Sequence, residues 1–219
     1  MHLGLSKEET FDLIRATKNP LFEIEEVKEG RRTRVVDGFM IGRYEVTNQE
    51  YKAVMPTYTF PFGDEQRPVH NLPKEQMEEF LKKLTEQYPA LSIGLPEEVE
   101  WEYAARGYEH YKPYAWDTEG AAVFDPTKAN VGTKRLDYAG QKAEGASWCG
   151  AEDMIGNVEE VSIVNAENYS ANLDQKLVAR GGSFGSDTVD SRTTSRHLLW
   201  TPKANEIGFR IAIRLKGEK

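Results

Sequence analysis

The chain has 219 residues, enough to bury a sizeable core, and its 29% charged and 39% apolar residues are typical of a globular protein. Its net charge of −8 argues against nucleic acid as a partner, because a protein needs a basic face to displace counterions from phosphate. Cys149 is the only cysteine, which excludes an intramolecular disulfide and a cysteine-rich zinc site.

The N-terminus lacks the basic and then apolar pattern of a signal peptide, and no run approaches about 18 apolar residues. We therefore expect cytoplasmic synthesis without membrane insertion. Association with a virion or a cell surface after assembly is compatible with this expectation.

The chain begins with a predicted helix. Ser6-Lys-Glu-Glu9 is a capping-box pattern, and the helix that it opens should end by Asn19-Pro20. Its apolar side consists of Phe11, Leu13 and Ile14.

Strand patterns come next. Residues 21–27 and 33–36 alternate or are β-branched and are separated by glycine turns, so they predict a β-meander. Residues 39–46 predict a further strand. It ends at a second capping box, Thr47-Asn-Gln-Glu50, which opens a helix through Val54.

Two more helices are predicted in the middle of the chain. Apolar residues recur at helical spacing over residues 74–88. Residues 96–106 have a proline in the first turn, early carboxylates and Gly107 as a C-cap. The stretch from Gly107 to Gly150 has little periodicity. In a compact domain, a stretch of this kind indicates a loop that is functional or held by ligands or ions.

The last third of the chain predicts three strands, at residues 157–164, 177–184 and 208–215. No internal repeat or low-complexity segment divides the sequence. We therefore predict a single α+β domain over residues 1–219.

Seven stretches stand in a recognisable order: Tyr44-Glu-Val-Thr-Asn48, Leu95-Pro-Glu-Glu-Val-Glu-Trp-Glu-Tyr-Ala-Ala-Arg-Gly107, Tyr114-Ala-Trp116, Ala129-Asn130, Asp153-Met-Ile-Gly-Asn-Val158, Arg180-Gly-Gly-Ser183 and Gly208-Phe-Arg210. Together they resemble the formylglycine-generating enzyme and sulfatase-modifying-factor family. The resemblance covers residues 33–215 and leaves residues 1–32 as an N-terminal extension of helix and strand. It implies a C-type-lectin-like fold, with small twisted sheets, short helices and long irregular loops.

The resemblance fails at the metal centre of the family's enzymes. Members that oxidise a sulfatase cysteine hold copper with a cysteine pair just after the Gly-Gly-Ser motif, and the matching positions here are Ser186 and Ser191. A hydroxyl is a poor ligand for soft Cu(I). Cys149 lies in a different motif and does not replace the pair. We therefore expect no copper and no formylglycine-generating activity.

Structural calcium is a second cofactor that the resemblance implies. Family members often bind it with a side-chain oxygen, backbone carbonyls and a glutamate, and Asp153 and Glu160 stand at the matching ends of this stretch. Hard oxygen ligands suit calcium. The alternative is a capped turn with solvated carboxylates, because Glu159-Glu160-Val161 replaces the usual aromatic-Glu-aromatic ending.

Other polar and aromatic residues have simpler interpretations. The four histidines are scattered without metal-ligand spacing. Asp187 and Asp190 could form an acid/base pair, but two carboxylates in a polar loop are more often solvated. One aromatic set could stack on carbohydrate, although core packing explains its first three members better: Trp101, Tyr103, Trp116 and Trp148.

Another kind of family member resembles the sequence after Ser183. In the variable proteins of diversity-generating retroelements, ligand-contacting residues lie between the Gly-Gly-Ser turn and the terminal Gly-Phe-Arg strand. Their variation arises at adenines, commonly in Asn codons, and the resulting codons cannot encode Lys, Glu, Gln, Met or Trp. Residues 185–199 contain none of these five types, which by the composition of the chain has a chance of roughly one in a hundred.

We therefore predict that residues 185–200 form a surface that binds a macromolecule, which we expect to be a protein, without catalysis. The candidate ligand-binding residues are Gly185, Ser186, Asp187, Thr188, Val189, Asp190, Thr193, Ser195, His197, Leu198, Leu199 and Trp200. Trp200 is not reachable by such codon changes, so the variable block ends before it or the retroelement interpretation fails. Burial of the apolar members would instead make them core.

Two alternatives stay open. One is an enzyme of the family that uses a site other than the missing cysteine pair. The other is a structural component of a phage or cell-surface assembly. The ligand and the oligomeric state are not encoded in any motif.

Overall fold

The computed structural model describes residues 38–89, 91–107, 112–117, 123–164, 177–198 and 206–215. These residues form three α-helices, Asn48–Val54 (α1), Lys74–Gln87 (α2) and Glu98–Arg106 (α3), and a short 3-10 helix, Ala143–Gly145. Their strands are Met40–Ile41 (β1), Leu91–Gly94 (β2), Glu159–Ile163 (β3), Leu177–Arg180 (β4), Arg196–Leu198 (β5), Ile207–Gly208 (β6) and Ala212–Leu215 (β7).

The strands build two small sheets. In the first, β7 lies between β1 and β2 with antiparallel pairing, and Met40 and Ile93 both pair with Ile213. The second has the order β5-β4-β3-β6, in which β3 and β6 are parallel and the other pairs antiparallel. Small sheets with a few short helices confirm the predicted α+β class.

The α-helices of the described residues lie where the sequence predicts them. The capping box before α1 is confirmed: Thr47 Oγ1 accepts from the Glu50 amide at 3.3 Å, and Glu50 Oε2 accepts from the Thr47 amide at 2.8 Å. α3 ends at Gly107, whose φ of 71° lies in the left-handed region that favours glycine. A membrane-crossing helix, long and apolar enough to span, is absent from the described ranges.

Two apolar clusters form the core. In the first, Tyr51 of α1 stacks on Phe80 of α2 with ring centroids 5.1 Å apart, and Phe209 meets Phe80 edge-on at 5.6 Å. The second cluster surrounds Trp101 of α3, which is fully buried. The two clusters place α1 and α2 beside one part of the sheets and α3 beside another.

Backbone conformation shortens three predicted strands. β1 occupies only part of the predicted strand at residues 39–46. β3 begins late because Asn157 has a φ of 58°, which is incompatible with an extended strand. β4 ends early because Gly181 and Gly182 have φ angles of 87° and 70°.

The predicted strand at residues 208–215 is divided. β6 and β7 belong to different sheets, and residues 209–211 cross between them. The sequence prediction also missed β2 and β5, which are short, with four and three residues. The predicted helix at residues 6–19 and the meander at residues 21–36 lie outside the described residues.

Polar groups of the fold itself hold much of the irregular stretch before Gly150. The Asn157 amide donates to the Asn130 carbonyl at 2.9 Å, and Asn130 Nδ2 donates to Asn157 Oδ1 at 3.0 Å. The Ala139 amide donates to the Gln66 carbonyl at 2.9 Å. These bonds hold the irregular stretch in place. The sequence pattern predicts a loop that is functional or held by ligands or ions.

Candidate functional site

A turn of two glycines leads from β4 into the predicted ligand-binding segment. At the positive φ angles of Gly181 and Gly182 a side chain is strained. A Cβ at Gly182 would also lie 2.3 Å from Ser191 Oγ, and a Cβ at Gly181 would lie 2.8 Å from the Met154 carbonyl oxygen. The two glycines therefore allow the start of the segment to pack closely against its own later part and against residues before β3.

Internal hydrogen bonds then hold residues 184–195, which we call the display loop. Asp187 Oδ1 accepts from the amides of Val189 and Asp190, each at 2.8 Å. Ser191 Oγ donates to the Asp187 carbonyl, and Ser195 Oγ donates to the Val189 carbonyl, both at 2.7 Å. Asp187 is therefore a cap for the loop amides, which explains its side chain without an acid/base role.

Neighbouring segments hold the display loop from outside. Tyr114 Oη donates to the Thr188 carbonyl at 2.9 Å, and the Thr193 amide donates to the Pro113 carbonyl at 2.8 Å. Thr193 is fully buried, and its hydroxyl donates to the Lys112 carbonyl. Thr193 thus anchors the loop, and we leave it out of the surface proposed below.

The remaining candidate residues divide by exposure. Exposed members are Gly185, Asp187, Val189, Asp190 and His197, whereas intermediate members are Ser186, Thr188 and Ser195. Val189 is 52% exposed. The side chain of Leu198 and all of Leu199 and Trp200 lie outside the described residues. Thr194, which the candidate set omitted, is exposed as well, and its place inside the restricted-composition stretch was the available signal.

His197 lies on β5, at the edge of the display loop. Its Nδ1 is 2.8 Å from Glu159 Oε1 of β3, and its side chain is 44% exposed. Burial raises the pKa of the Glu159 carboxyl, and the interaction with His197 works against that rise. His197 therefore presents one face to solvent while the other is fixed to the sheet.

The two serines at the expected cysteine positions have separate partners. Ser186 Oγ accepts from the Ser183 amide at 3.0 Å and lies 3.1 Å from Ser183 Oγ, which also bonds to Glu206. Ser191 is fully buried. Both hydroxyls serve as hydrogen-bonding groups of the turn.

Buried ion pairs of Arg180 support the display loop. Arg180 Nη1 contacts Glu98 at 3.0 Å and Arg180 Nη2 contacts Glu102 at 2.7 Å, both on α3. The same Nη2 donates to the Thr193 carbonyl at 2.7 Å, and the guanidinium lies over the Trp101 ring at 5.2 Å. Arg180 therefore connects the anchor of the display loop to α3.

A second buried site contains the predicted calcium ligands. Both carboxylate oxygens of Glu160 accept from Arg210, each at 2.5 Å, and Glu160 Oε2 also accepts from Trp101 Nε1 at 2.7 Å. Asp153 Oδ2 accepts from the Gly140 amide at 2.6 Å. Glu160 is thus committed to a guanidinium, whereas Asp153 accepts from a single amide.

Glu45, which the sequence reasoning missed, adds negative charge here. Its Oε1 accepts from Asn157 Nδ2 at 3.1 Å, and its buried Oε2 has no hydrogen-bond partner among the described residues. Burial, with the charges of Asp153 and Glu160, raises the pKa of Glu45 well above its usual range. Burial also raises the pKa of Asp153 to about 6.

The donor groups therefore fit a cation in part. Asp153 and Glu45 are buried carboxyls whose pKa values are raised, mainly because burial disfavours the charged form, and a bound cation would favour that charged form. Against this, the described residues contain no group of three or more His, Cys, Asp or Glu side chains that could hold a metal. A calcium ion would need the backbone carbonyls that the resemblance implies, and the calcium site stays a prediction.

The aromatic set is mostly internal. Trp101 and Tyr103 are buried, and Trp116 stacks on Tyr114 with ring centroids 5.2 Å apart. Trp148 is 45% exposed, but its Nε1 donates to the Tyr103 carbonyl at 2.8 Å. The first three therefore pack in the core as predicted.

The profile of the sulfatase-modifying factor enzyme 1-like domain matches residues 15–215. The chain belongs to this family. The match begins upstream of residue 33, where the motifs place the start of the resemblance. Residues 1–14 lie outside it.

One curated relative is the inactive C-alpha-formylglycine-generating enzyme 2 of Bos taurus, 32% identical over 138 residues. The aligned part is 54% of this chain and 43% of the relative, so the chain spans less than half of the relative's length.

Three solved structures are similar in fold. The Treponema denticola variable protein 1 superposes with a TM-score of 0.67 at 20% identity, over 91% of this chain and 92% of that one. PvdO from Pseudomonas aeruginosa gives 0.64 at 20% identity, over 84% and 85%. CarF gives 0.61 at 21% identity, over 92% and 95%. These matches and the family profile confirm the C-type-lectin-like fold of the formylglycine-generating-enzyme type.

Proposed function

We propose that this family member is a non-catalytic binding protein that recognises a macromolecular ligand, a protein, through the exposed side chains of the display loop and His197. The observation that carries the proposal is the separation of roles within the loop. Buried or bonded groups at Asp187, Ser191 and Thr193 hold the backbone, while Val189, Asp190 and Thr194 face solvent. A rigid backbone lowers the conformational entropy that binding would otherwise cost.

The residue types of the loop support a diversified surface. Residues 185–199 avoid Lys, Glu, Gln, Met and Trp, as diversification at adenines requires. A protein whose specificity is changed by such substitutions needs exposed positions that contribute little to stability, and exposed loop positions meet that condition. The similarity in fold to a protein named variable protein 1 agrees with this proposal.

The absence of copper chemistry follows from Ser186 and Ser191. Neither hydroxyl offers the thiolate that Cu(I) prefers, and each already bonds within the turn. We expect the purified chain to contain no copper and to leave a sulfatase-derived cysteine peptide unchanged. The double variant Ser186→Cys/Ser191→Cys should gain Cu(I) binding, measured by competition with a chromogenic chelator. Copper bound stoichiometrically by the unaltered chain would contradict the proposal and favour an enzyme.

The locus tests the diversification directly. We expect a near-copy of the segment that encodes residues 185–199 beside a reverse-transcriptase gene, differing from the coding segment at adenines. Differences should fall mainly in the codons for exposed residues such as Val189, Asp190 and Thr194. A locus without such a copy would contradict the proposed diversification by a retroelement.

Binding is tested with surface variants and a matched control. Host-cell envelope proteins are passed over the immobilised full chain, and the retained protein is identified and its Kd measured. The triple variant Val189→Lys/Asp190→Lys/Thr194→Lys should weaken that Kd by at least tenfold. A control with three changes on the exposed side of α2, Glu75→Lys/Gln76→Lys/Glu79→Lys, should bind as the unaltered chain does. Equal loss in both variants would favour a structural component that is held by another face.

A further inference from the structure

An apolar groove lies on the side of the molecule where α2 meets the first sheet. It has a volume of about 410 Å³. Its apolar lining comes from α2, from β2 and the residue after it, and from the facing ends of β3 and β4: Met77, Leu81, Ile93, Leu95, Ile163 and Leu177. Leu81, Ile163 and Leu177 are only half-buried among the described residues. Half-buried aliphatic side chains around one groove offer an apolar surface on which another apolar element can pack.

We propose that residues 6–19 of the same chain occupy this groove as an amphipathic helix. The sequence predicts a helix there with Phe11, Leu13 and Ile14 on one side. Three large apolar side chains within one turn and a half match a groove lined by aliphatic residues. This helix lies largely before residue 15, where the family match begins, so the family domain alone does not provide this cover.

The strand register places the N-terminal segment near the groove. Met40 of β1 and Ile93 of β2 flank Ile213, so β1 lies two strand spacings, about 10 Å, from β2. Both strands are antiparallel to β7 and therefore run in the same direction. The chain that precedes Gly38 thus enters the sheet at the end where β2 begins, beside the turn from α2. Residues 20–37 can span roughly 60 Å when extended, which is ample for the helix to reach the groove.

The charged residues at the rim of the groove are compatible with the same proposed helix. The α2 side of the groove carries both signs: Lys74, Glu78, Lys82 and Glu86. The predicted helix also carries both signs: Lys7 and Lys18 lie at the two ends of the side that carries Phe11 and Ile14, and Glu8 and Asp12 lie on the other side. The segment at residues 165–176, which connects β3 to β4, is a poorer match, since Tyr169 and Leu173 are its only large apolar residues.

Photocrosslinking in the full chain tests the occupant. Leu81 is replaced by p-benzoylphenylalanine, the protein is irradiated, and the crosslinked peptides are mapped by mass spectrometry. We expect an intramolecular crosslink to residues 6–19, with the product at the mass of one chain. The same probe at Gln76, which is exposed on α2 outside the groove, should give no such crosslink. The probe at Lys82, an exposed rim position, repeats the test in case the change at Leu81 disturbs folding.

The alternatives give different products. A crosslink to residues 165–176, a dimer of two chains, or no crosslink from either groove position would each overturn the proposal. The apolar side of the helix is tested with Phe11→Asp/Ile14→Asp, which should lower the crosslink yield at least fivefold. Glu8→Ser/Asp12→Ser changes the opposite side of the predicted helix and should leave the yield unchanged. Equal yields from the two double variants would contradict the docking mode.

Discussion

Residues 151–158 and the display loop are both irregular, with left-handed φ angles within the first segment and at the two glycines just before the second, yet they use their side chains in opposite ways. Every residue from Ala151 to Val158 is buried. In the display loop, exposed Val189, Asp190 and Thr194 alternate with residues that are buried or bonded. The first segment completes the core around Arg210, whereas the second has a fixed backbone with solvent-facing side chains.

The difference shows that the residues on which stability depends can be separate from the residues that face solvent. Around Arg210 the partners come from three places in the chain, so a change at one position leaves buried charge uncompensated. In the display loop the main-chain bonds and the hydrogen-bonded side chains of Asp187, Ser191 and Thr193 fix the shape. Exposed side chains there can change without disturbing buried groups.

The largest expected effect is at the buried ion pair. Arg210→Met removes both bonds to Glu160 and leaves a buried carboxylate, so the free energy of unfolding should fall by about 3–5 kcal/mol. Lys83→Met removes a surface pair with Glu79 at 2.8 Å and should cost under about 0.5 kcal/mol. Urea unfolding followed by circular dichroism measures both. If Arg210→Met lowered the free energy of unfolding by less than about 1 kcal/mol, the contacts around Arg210 would not be important for stability.

The glycine turn should come next. Gly182→Ala combines a positive φ of 70° with a Cβ 2.3 Å from Ser191 Oγ, and it should cost about 3 kcal/mol. Gly63 also has a positive φ, 93°, but a Cβ there meets nothing within 4 Å. Gly63→Ala should therefore cost only about 1 kcal/mol, the backbone part alone. Similar losses in the two variants, measured by urea unfolding, would show that the contact with Ser191 relaxes freely.

Calcium tests the buried carboxylates. At a concentration about 100 times its Kd, calcium should stabilise the native state by about 2.7 kcal/mol, which raises Tm by roughly 5–10 °C over a chelator-treated sample. Asp153→Asn should abolish the rise, and Asp125→Asn, in an exposed turn, should retain it. An unchanged Tm at millimolar calcium would favour the capped-turn interpretation.

The pH dependence in the presence of chelator tests the same carboxyl. Because the folded pKa of Asp153 is raised to about 6, the native state binds more protons than the unfolded state between about pH 4 and pH 6. Its contribution is therefore a stability that is present at low pH and lost as the pH rises through this window, about 3 kcal/mol. Asp153→Asn should be less sensitive to pH by that amount in the same unfolding assay. If the free energy of unfolding had the same pH dependence in the unaltered chain and in Asp153→Asn, the proton would be bound by another group.

The smallest effects should lie within the display loop. Thr193→Val removes a buried hydrogen bond to the Lys112 carbonyl and should cost about 1–2 kcal/mol. Thr194→Val changes the exposed neighbour and should alter stability by less than about 0.5 kcal/mol. If both changes cost the same in urea unfolding, the division between anchor and display positions would be wrong.

Much of the fold could be predicted from local pattern. α1 follows from its capping box, α2 from helical spacing, and α3 from its charge placement and terminal glycine. The predicted strand at residues 177–184 ran past the Gly-Gly pair at which β4 ends. The candidate surface could be located only approximately. Composition marked residues 185–199 as unusual, but nothing in it separated Thr193 from Thr194, since their burial depends on where Lys112 and Pro113 lie.

By itself the sequence determined the helices, the glycine turn and the serines at positions 186 and 191, because each of these depends on residues adjacent in the chain or on a single side-chain type. Tertiary structure decided the division of the last strand between two sheets, the capture of Glu160 by Arg210, the unpartnered Glu45 oxygen and the faces of the display loop. These features rest on contacts between residues tens of positions apart, and only the packed chain brings such partners together.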